Sequence, residues 1–325
     1  MKILVVGGAG YIGSHMLRRL QKTNYKVEVL DNLSTGYEEN TLGFQFHKCD
    51  LANKDQLNSI LQNNYDLVMH FASYINVGES YLYPQKYYEN NVNNTLNLLN
   101  CMVDQKILNF IFSSSAAVYG DPGPSPISEE ENINPVNPYG QTKAMVENIL
   151  KDYDRAYGLK STCLRYFNAC GAHLDGTIGE SHNPETHLIP LVLQAASGRK
   201  NSITVFGDDY TTKDGTCIRD YIHVMDLAEA HLLALDTLRS EQISNIYNIG
   251  NNIGFSVKEI IETAEEVTQR KIKINIESRR KGDPAQLVAN NKKIKEELNW
   301  TAQYSDLKTI MSSAWQWEQK LLQSN

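Results

Sequence analysis

The run ILVVGGAGYIGSH, residues 3–15, constrains this chain more than any other stretch. Four aliphatic residues read as a short strand, spaced glycines as a tight turn, and YIGSH as the start of a helix. Gly8, Gly10 and Gly13 satisfy G-x-G-x-x-G, while Gly7, Gly10 and Gly13 satisfy the related G-x-x-G-x-x-G. Glycine turns are common in proteins. What gives this one meaning is its position directly between a strand and a helix. Glycines there let backbone approach a pyrophosphate, and the helix N-terminus offers free N–H groups and the positive end of its dipole.

Asp31 ends the next strand-like run, VEVLD, about 20 residues on, where a carboxylate can accept hydrogen bonds from ribose hydroxyls. A negative charge at that point repels a 2′-phosphate, so NAD is expected over NADP. As a plain turn-former, Asp31 would only cap DNLSTG; its place at a strand end favours the ligand reading. Asp50, after FHKC, holds the matching position one strand later and points to the adenine.

The first half alternates such runs with helix-period segments. Strands are expected at 2–6, 26–30, 44–48, 66–71, 109–114 and 161–167, and helices near 12–23, 53–63, 84–104 and 139–157. The strand runs hardly alternate polar with apolar, as in a parallel sheet covered on both faces. The fold class expected is therefore α/β: a Rossmann-type doubly wound parallel sheet, with a smaller C-terminal α/β substrate-binding domain. Residues 1–168 form the first domain, with later segments at about 203–250 partly feeding back into it, and 169–325 form the second. In that second half helices are expected near 187–198, 225–238, 256–269 and 305–319, with strand-like pieces at 203–206, 245–250 and 271–276. The proline-rich stretch 121–138 reads as a long loop, a length that is often functional.

Composition narrows the partners. A net charge of −7 over 325 residues gives no support for nucleic-acid binding, and no apolar run reaches membrane-spanning length. The N-terminal apolar run is too short for a signal peptide. Five widely spaced cysteines without a CxxC fit a reducing cytoplasm.

NPYGQTK, residues 137–143, sets Tyr139 and Lys143 four apart behind Pro138, a residue suited to opening a helix. The same spacing recurs at Tyr304 and Lys308, so spacing alone decides nothing. Context separates them: Tyr139 follows the fifth strand and SSSAAVYG, whose serines emerge where open α/β sheets bind ligands. Ser115, Tyr139 and Lys143 can then converge on a nicotinamide, the ammonium favouring phenolate and equipping Tyr139 as a base for a hydroxyl proton.

Beyond these motifs, the chain resembles the extended short-chain dehydrogenase/reductases and, within them, the UDP-glucose 4-epimerase family, from residue 1 to about 319. The marks are GGAGYIGSH, LDNLSTG, VMHFAS, VGES, YYENNVNNTLNLL, FSSSAAVYG, NPYGQTK, LRYFNACGAH, HLIP, FGDDYTTKDGTCIRDYIHVMDLAEAH, YNIGN and RRKGDPAQLVAN. The resemblance implies tightly held NAD and a reaction without net oxidation, in which C4 of a UDP-hexose is oxidised, turned and reduced on its other face. Catalysis would fall to Ser115, Tyr139 and Lys143. The cofactor would be lined by Gly7, Gly10, Tyr11, Ile12, Gly13, Asp31, Asn32, Ser34, Thr35, Gly36, Asp50, Leu51, Phe71, Ala72, Ser73, Asn90, Ser115, Tyr139, Lys143 and Phe167. The UDP-sugar would be held by Asn168, His187, Leu188, Thr204, Val205, Phe206, Arg219, Arg280, Asp283 and Leu287. Arginine forks suit a diphosphate; without the resemblance, SRRKGD (278–283) reads as a solvated basic turn.

Two departures stand out. Ile75 occupies a position where some family members have a cofactor-contacting lysine. Leu287 stands where others have a tyrosine that narrows the sugar pocket, which points to room for N-acetylated sugars. Related dehydratases carry an Asp-Glu pair where this chain has Ala116 and Ala117, so elimination is disfavoured. UDP-pentose and UDP-uronate epimerases or decarboxylases remain alternatives, as does a non-catalytic NAD-binding protein. His173, Glu180, His182, Glu185 and His187 crowd one segment, but their spacing matches no H-E-x-x-H pattern. No metal is expected, and the segment reads as a polar loop over the sugar pocket. Relatives pair the helices at 84–104 and 139–157 across a two-fold axis, so a homodimer is expected.

Overall fold

The computed structural model describes residues 1–123, 126–280 and 283–324. Residues 124–125 of the proline-rich loop and 281–282 of the basic turn lie outside them. The chain forms two compact units. Unit 1 comprises Met1–Gly120, Asn132–Tyr166 and Ala228–Tyr247; unit 2 comprises Asp121–Glu131, Phe167–Leu227 and Asn248–Asn325. Of the segment 203–250, only Ala228–Tyr247 falls in unit 1, and the proline-rich loop divides between the units after Glu131.

Unit 1 is built on strands β1 (Lys2–Val6), β2 (Lys26–Asp31), β3 (Gln45–Lys48), β4 (Leu67–His70), β5 (Asn109–Ser115) and β6 (Lys160–Tyr166). Neighbours pair in parallel, with Val5 opposite Val29 on one side and Met69 on the other. Strand β7 is Asn168–Cys170, β8 Ile203–Phe206, β9 Ile218–His223 and β10 Asn245–Ile249. The seven-stranded order is β10-β6-β5-β4-β1-β2-β3, so the winding reverses between β1 and β4. Ligands of open α/β sheets bind at the carboxyl ends of strands beside such a reversal.

The helices of this unit are α1 (Tyr11–Leu20), α2 (Lys54–Leu61), α3 (Val77–Leu82), α4 (Pro84–Tyr87), α5 (Asn94–Asp104), α6 (Pro138–Tyr157) and, from Ala228 on, part of a later helix. Leu57, Leu98, Leu99 and Val146 pack with Leu4, Val6, Val68, Phe110 and Phe112 in one buried cluster, which explains the near-continuous apolar strand runs. Residues Tyr88–Asn93, between α4 and α5, are π-helical. The sequence pattern shows one helix over 84–104; side-chain periodicity does not register one extra residue per turn, a feature frequent at functional sites.

Unit 2 has its own core. Helices α7 (Leu188–Ser197), α8 (Val224–Glu241, whose first turn lies in this unit), α9 (Val257–Thr268), α10 (Lys292–Leu298) and α11 (Leu307–Ser324) accompany short strands β11 (Gly254–Ser256), β12 (Ile274–Glu277) and β13 (Gln286–Leu287). β9 pairs with β7, β11 and β13, while β8 pairs with β12. Ile189, Val192, Leu193, Ile260, Ile310 and Met311 close the core. Among the described residues no helix is long and apolar enough to cross a membrane. All five cysteines are free thiols.

Candidate active site

The glycine turn is a cradle that side chains would fill. A Cβ on Gly13 would stand 2.2 Å from the Gly7 carbonyl oxygen, and Gly7 itself has φ +79° with the Ala72 nitrogen 2.5 Å from a built Cβ. Only glycine satisfies both positions. Around it runs a groove lined by Gly7, Gly10, Asp31, Asn32, Ser34, Thr35, Asp50, Leu51, Phe71, Ala72, Ser73 and Asn90. That is twelve of the residues expected to line the cofactor. Cys49, Tyr74 and Asn94 also line it and were not anticipated. Tyr11 and Ile12 open α1, and Gly36 packs against Ala9.

The Asp31 carboxylate does two jobs. It accepts hydrogen bonds from the backbone of Ala9 (3.0 Å) and Leu33 (2.8 Å), tying the glycine turn to β2. The capping role is present, and each oxygen retains capacity for a further donor. Burial pushes its carboxyl up despite these bonds. Asp50 accepts from Asn32 (2.8 Å) and the Ala52 N–H (2.8 Å), which fixes two lining residues together.

Helix α6 starts as the sequence predicts, with Pro138 in its first turn and the Asn137 side chain accepting from the Gly140 N–H at 2.8 Å. A Cβ on Gly140 would come within 2.3 Å of the Ala117 carbonyl oxygen. The missing side chain lets the helix start press against the 3₁₀ turn Ala116–Val118 that follows β5. Tyr139 is thereby brought beside Ser115. One turn on, Lys143 is 2% exposed and donates to Ser73 Oγ (2.8 Å) and the Ser113 carbonyl (2.7 Å). Its Nζ lies 5.9 Å from the Tyr139 ring centre.

The electrostatics differ from the sequence expectation. Burial, the largest influence, raises the Tyr139 phenol, while the neighbouring Ser115 hydroxyl pulls it down. Burial also brings the Lys143 ammonium down to about 7, against the upward pull of Glu147. Sequence reasoning treated the ammonium as a fixed charge, whereas its own desolvation weakens it. Glu147 is a residue that reasoning missed. It is 3% exposed, accepts from Ser114 (2.6 Å), and grips Arg165 through two bonds at 2.9 and 2.6 Å. Asn91, in the π-helical turn, is a second. It accepts from Tyr74 N–H (2.9 Å) and donates to Tyr74 carbonyl (3.0 Å) and Thr142 (3.1 Å), fastening the groove wall to α6.

In unit 2, Phe206 lies under the Arg280 guanidinium, 3.9 Å from ring centre to charge. Arg219 donates to the carbonyls of Ile218 and Pro284 at 2.9 Å each and stands 3.6 Å from Asp283. Leu287 pairs with Arg219 across β13 and β9. Thr204 is half-buried on β8, but the Val205 side chain, expected on the substrate side, packs in the core because strand residues alternate in direction. Asn168 lies on β7, Phe167 donates its N–H to the Ile249 carbonyl, and Leu188 opens α7. His187 caps α7 and is held by Glu180. Glu180, His182, Glu185 and His187 each bring one donor atom to within 4.8 Å of the others. His173 pairs with Asp175 instead (2.8 Å).

A glycine cradle at the winding reversal, with a tyrosine and a buried lysine on the helix that starts beside the end of β5, defines a dinucleotide-dependent protein of the short-chain dehydrogenase/reductase class. The chain belongs to the NAD dependent epimerase/dehydratase family, whose model matches residues 3–250. It is 47% identical over 321 residues to the UDP-glucose 4-epimerase of Halalkalibacterium halodurans, covering 98% of this chain and 96% of that protein. The crystal structure of UDP-glucose 4-epimerase from Brucella ovis in complex with NAD is 46% identical, covers 97% of each chain and superposes with a TM-score of 0.94. The UDP-Glc/GlcNAc 4-epimerase from Campylobacter jejuni is 43% identical, with 98% of this chain and 99% of that one covered and a TM-score of 0.87.

Proposed function

We propose that this enzyme interconverts UDP-glucose and UDP-galactose by inverting C4 through a 4-keto intermediate. When bound, NAD supplies a reversible acceptor for the C4 hydride and a positive ring that favours the Tyr139 phenolate. Tyr139 takes the proton of the 4-hydroxyl and, after the keto sugar has turned its other face to the cofactor site, returns it to the same 4-oxygen, with Ser115 bonding that oxygen and relaying the proton. Lys143 would hold a cofactor ribose hydroxyl and lend positive charge to the phenol, while Glu147 sustains that charge. Arg219 and Arg280 neutralise the diphosphate, and Phe206 carries the Arg280 guanidinium.

What supports this reading is that Ser115 closes β5 and Tyr139 opens α6 against the 3₁₀ turn that follows, while Lys143, one turn on, is tied to Ser73 in the groove wall. Ala116 and Ala117 next to Ser115 offer no acid or base for elimination. One incubation tests the reading: purified protein with UDP-galactose and no added cofactor yields UDP-glucose by chromatography. Running UDP-GlcNAc, UDP-xylose and UDP-glucuronate in parallel sorts the substrate. No epimer from any of them overturns the proposal.

A second substrate class has its own support. Leu287 is half-buried and smaller than the tyrosine at this place in some family members. UDP-GlcNAc and UDP-GalNAc are then interconverted as well, and undetectable turnover of UDP-GlcNAc alongside active UDP-galactose turnover removes this extension. The setting fits a cytoplasmic homodimer serving galactose metabolism or glycan precursor supply. Tyr157 on α6 and Leu82 on α3 are 53% and 73% exposed, and sedimentation at twice the chain mass is the expected result.

A further inference from the structure

The loop ahead of α7 brings four metal-ligating groups to one point, and the chemistry described above uses only one of them. Glu180 Oε1 lies 3.3 Å from His182 Nδ1 and in hydrogen-bond contact with His187 Nδ1. Glu185 Oε2 lies 3.6 Å from the same His182 nitrogen. Two bonds of 2.0–2.1 Å at a tetrahedral angle set donors about 3.3 Å apart, so the two contacts of His182 are already near the spacing of a zinc site, while His187 and Glu180, now hydrogen-bonded, must draw apart to share an ion.

The loop is also built to hold them. Trp317 Nε1 donates to the Glu180 carbonyl at 2.8 Å, and Gly179 sits so tightly under the Trp317 ring that a Cβ would stand 2.3 Å from it. Glu185 Oε1 accepts the N–H groups of Thr186 (2.7 Å) and His187 (2.9 Å), which orients Oε2 toward His182. Such bonds behind the ligands fix their direction. Both carboxylate side chains are sealed, at 5% and 4% exposed, whereas His182 and His187 are 21% and 40% exposed and leave a path for an ion.

We propose that Glu180, His182, Glu185 and His187 form a binding site for one zinc-class divalent cation. Two imidazoles exclude the all-oxygen preference of magnesium and calcium, and two carboxylates balance the charge of a divalent ion. A bound ion fixes the loop 180–187 at the start of α7. Without it, the same four groups form an ion-pair cluster, which is the rival account.

The test reads binding, not turnover, so its failure leaves the proposed epimerase activity untouched. Full-length protein treated with a chelator and dialysed is titrated with zinc chloride by calorimetry, and with cobalt chloride by visible absorption. The expected result is one equivalent of zinc per chain and the intense visible bands of four-coordinate cobalt. His182→Ala weakens binding by about 100-fold or more, and Glu185→Gln, which keeps the backbone acceptor, by at least about tenfold. Melting curves certify that each variant is folded; if His182→Ala is not, Glu185→Gln decides. Absence of stoichiometric zinc binding, or binding unaltered in the folded variants, overturns the site in favour of the ion-pair cluster.

Discussion

Tyr139 and Lys143 stand four residues apart, and so do Tyr304 and Lys308, yet the two pairs live in different chemistry. Tyr139 lies in the first turn of α6, and Lys143 is one turn on, 2% exposed and bonded to Ser73 and the Ser113 carbonyl. Tyr304 precedes α11, which begins at Leu307, so the second pair does not share a helix. Its Lys308 side chain is 69% exposed, and a 2.8 Å ion pair with Glu266 raises the ammonium above its ordinary value. One lysine is weakened by burial, while the other is strengthened by a solvated partner. A motif acquires chemistry from the strand end, the capping residue and the desolvation around it.

Substitutions at both pairs break or sharpen that contrast. Tyr139→Phe removes the proposed proton-transfer group, and turnover is expected to fall by about 10²- to 10⁴-fold with bound NAD retained. Unchanged turnover would remove Tyr139 from its role. Glu147→Ala leaves Arg165 buried without its partner, an expected loss of about 3–5 kcal/mol of stability in denaturant unfolding. A loss within experimental error would mean water reaches that network. Lys143→Met removes charged hydrogen bonds and is expected to reduce turnover by about 10- to 100-fold, with weaker NAD retention. Lys308→Ala and Tyr304→Phe are expected to leave turnover unchanged; a marked loss from either would erase the contrast.

pH separates the lysines further. The unfolded chain binds a proton at Lys143 up to about its ordinary 10.5, but the folded chain releases it at about 7. Between those values unfolding takes up a proton, so stability from this group rises with pH. Below 7 both states are protonated and the penalty of the buried charge is constant. The difference between the unfolding free energies of wild type and Lys143→Met is therefore expected to slope from pH 7 to 10.5, and a flat difference would mean the ammonium is not weakened.

Much of the first unit was legible because its signals are local. The glycine turn, the unalternating strands and Pro138 each act within a few residues, and β1, β2, β4, β5 and β6 fall where apolar runs placed them. Gly140 shows where legibility ended: its need is set by the Ala117 carbonyl, more than 20 positions earlier. The π-helical turn, Asn91 and Glu147 escaped for the same reason, since their partners are distant in the chain. In unit 2, β11 and β13 are three and two residues long, too short to show any period. The spacing of Glu180, His182, Glu185 and His187 matches no helical ligand pattern because a loop, not a helix, assembles them.

The central claim is that Tyr139 serves two opposed half-reactions at one carbon with no net oxidation. UDP-galactose carrying deuterium at C4, incubated with the purified enzyme in ordinary water, tests this directly by mass spectrometry and proton NMR of the product. The expected product is UDP-glucose with deuterium kept at C4. Deuterium lost to solvent, or a keto sugar accumulating in step with reduced cofactor, would contradict it.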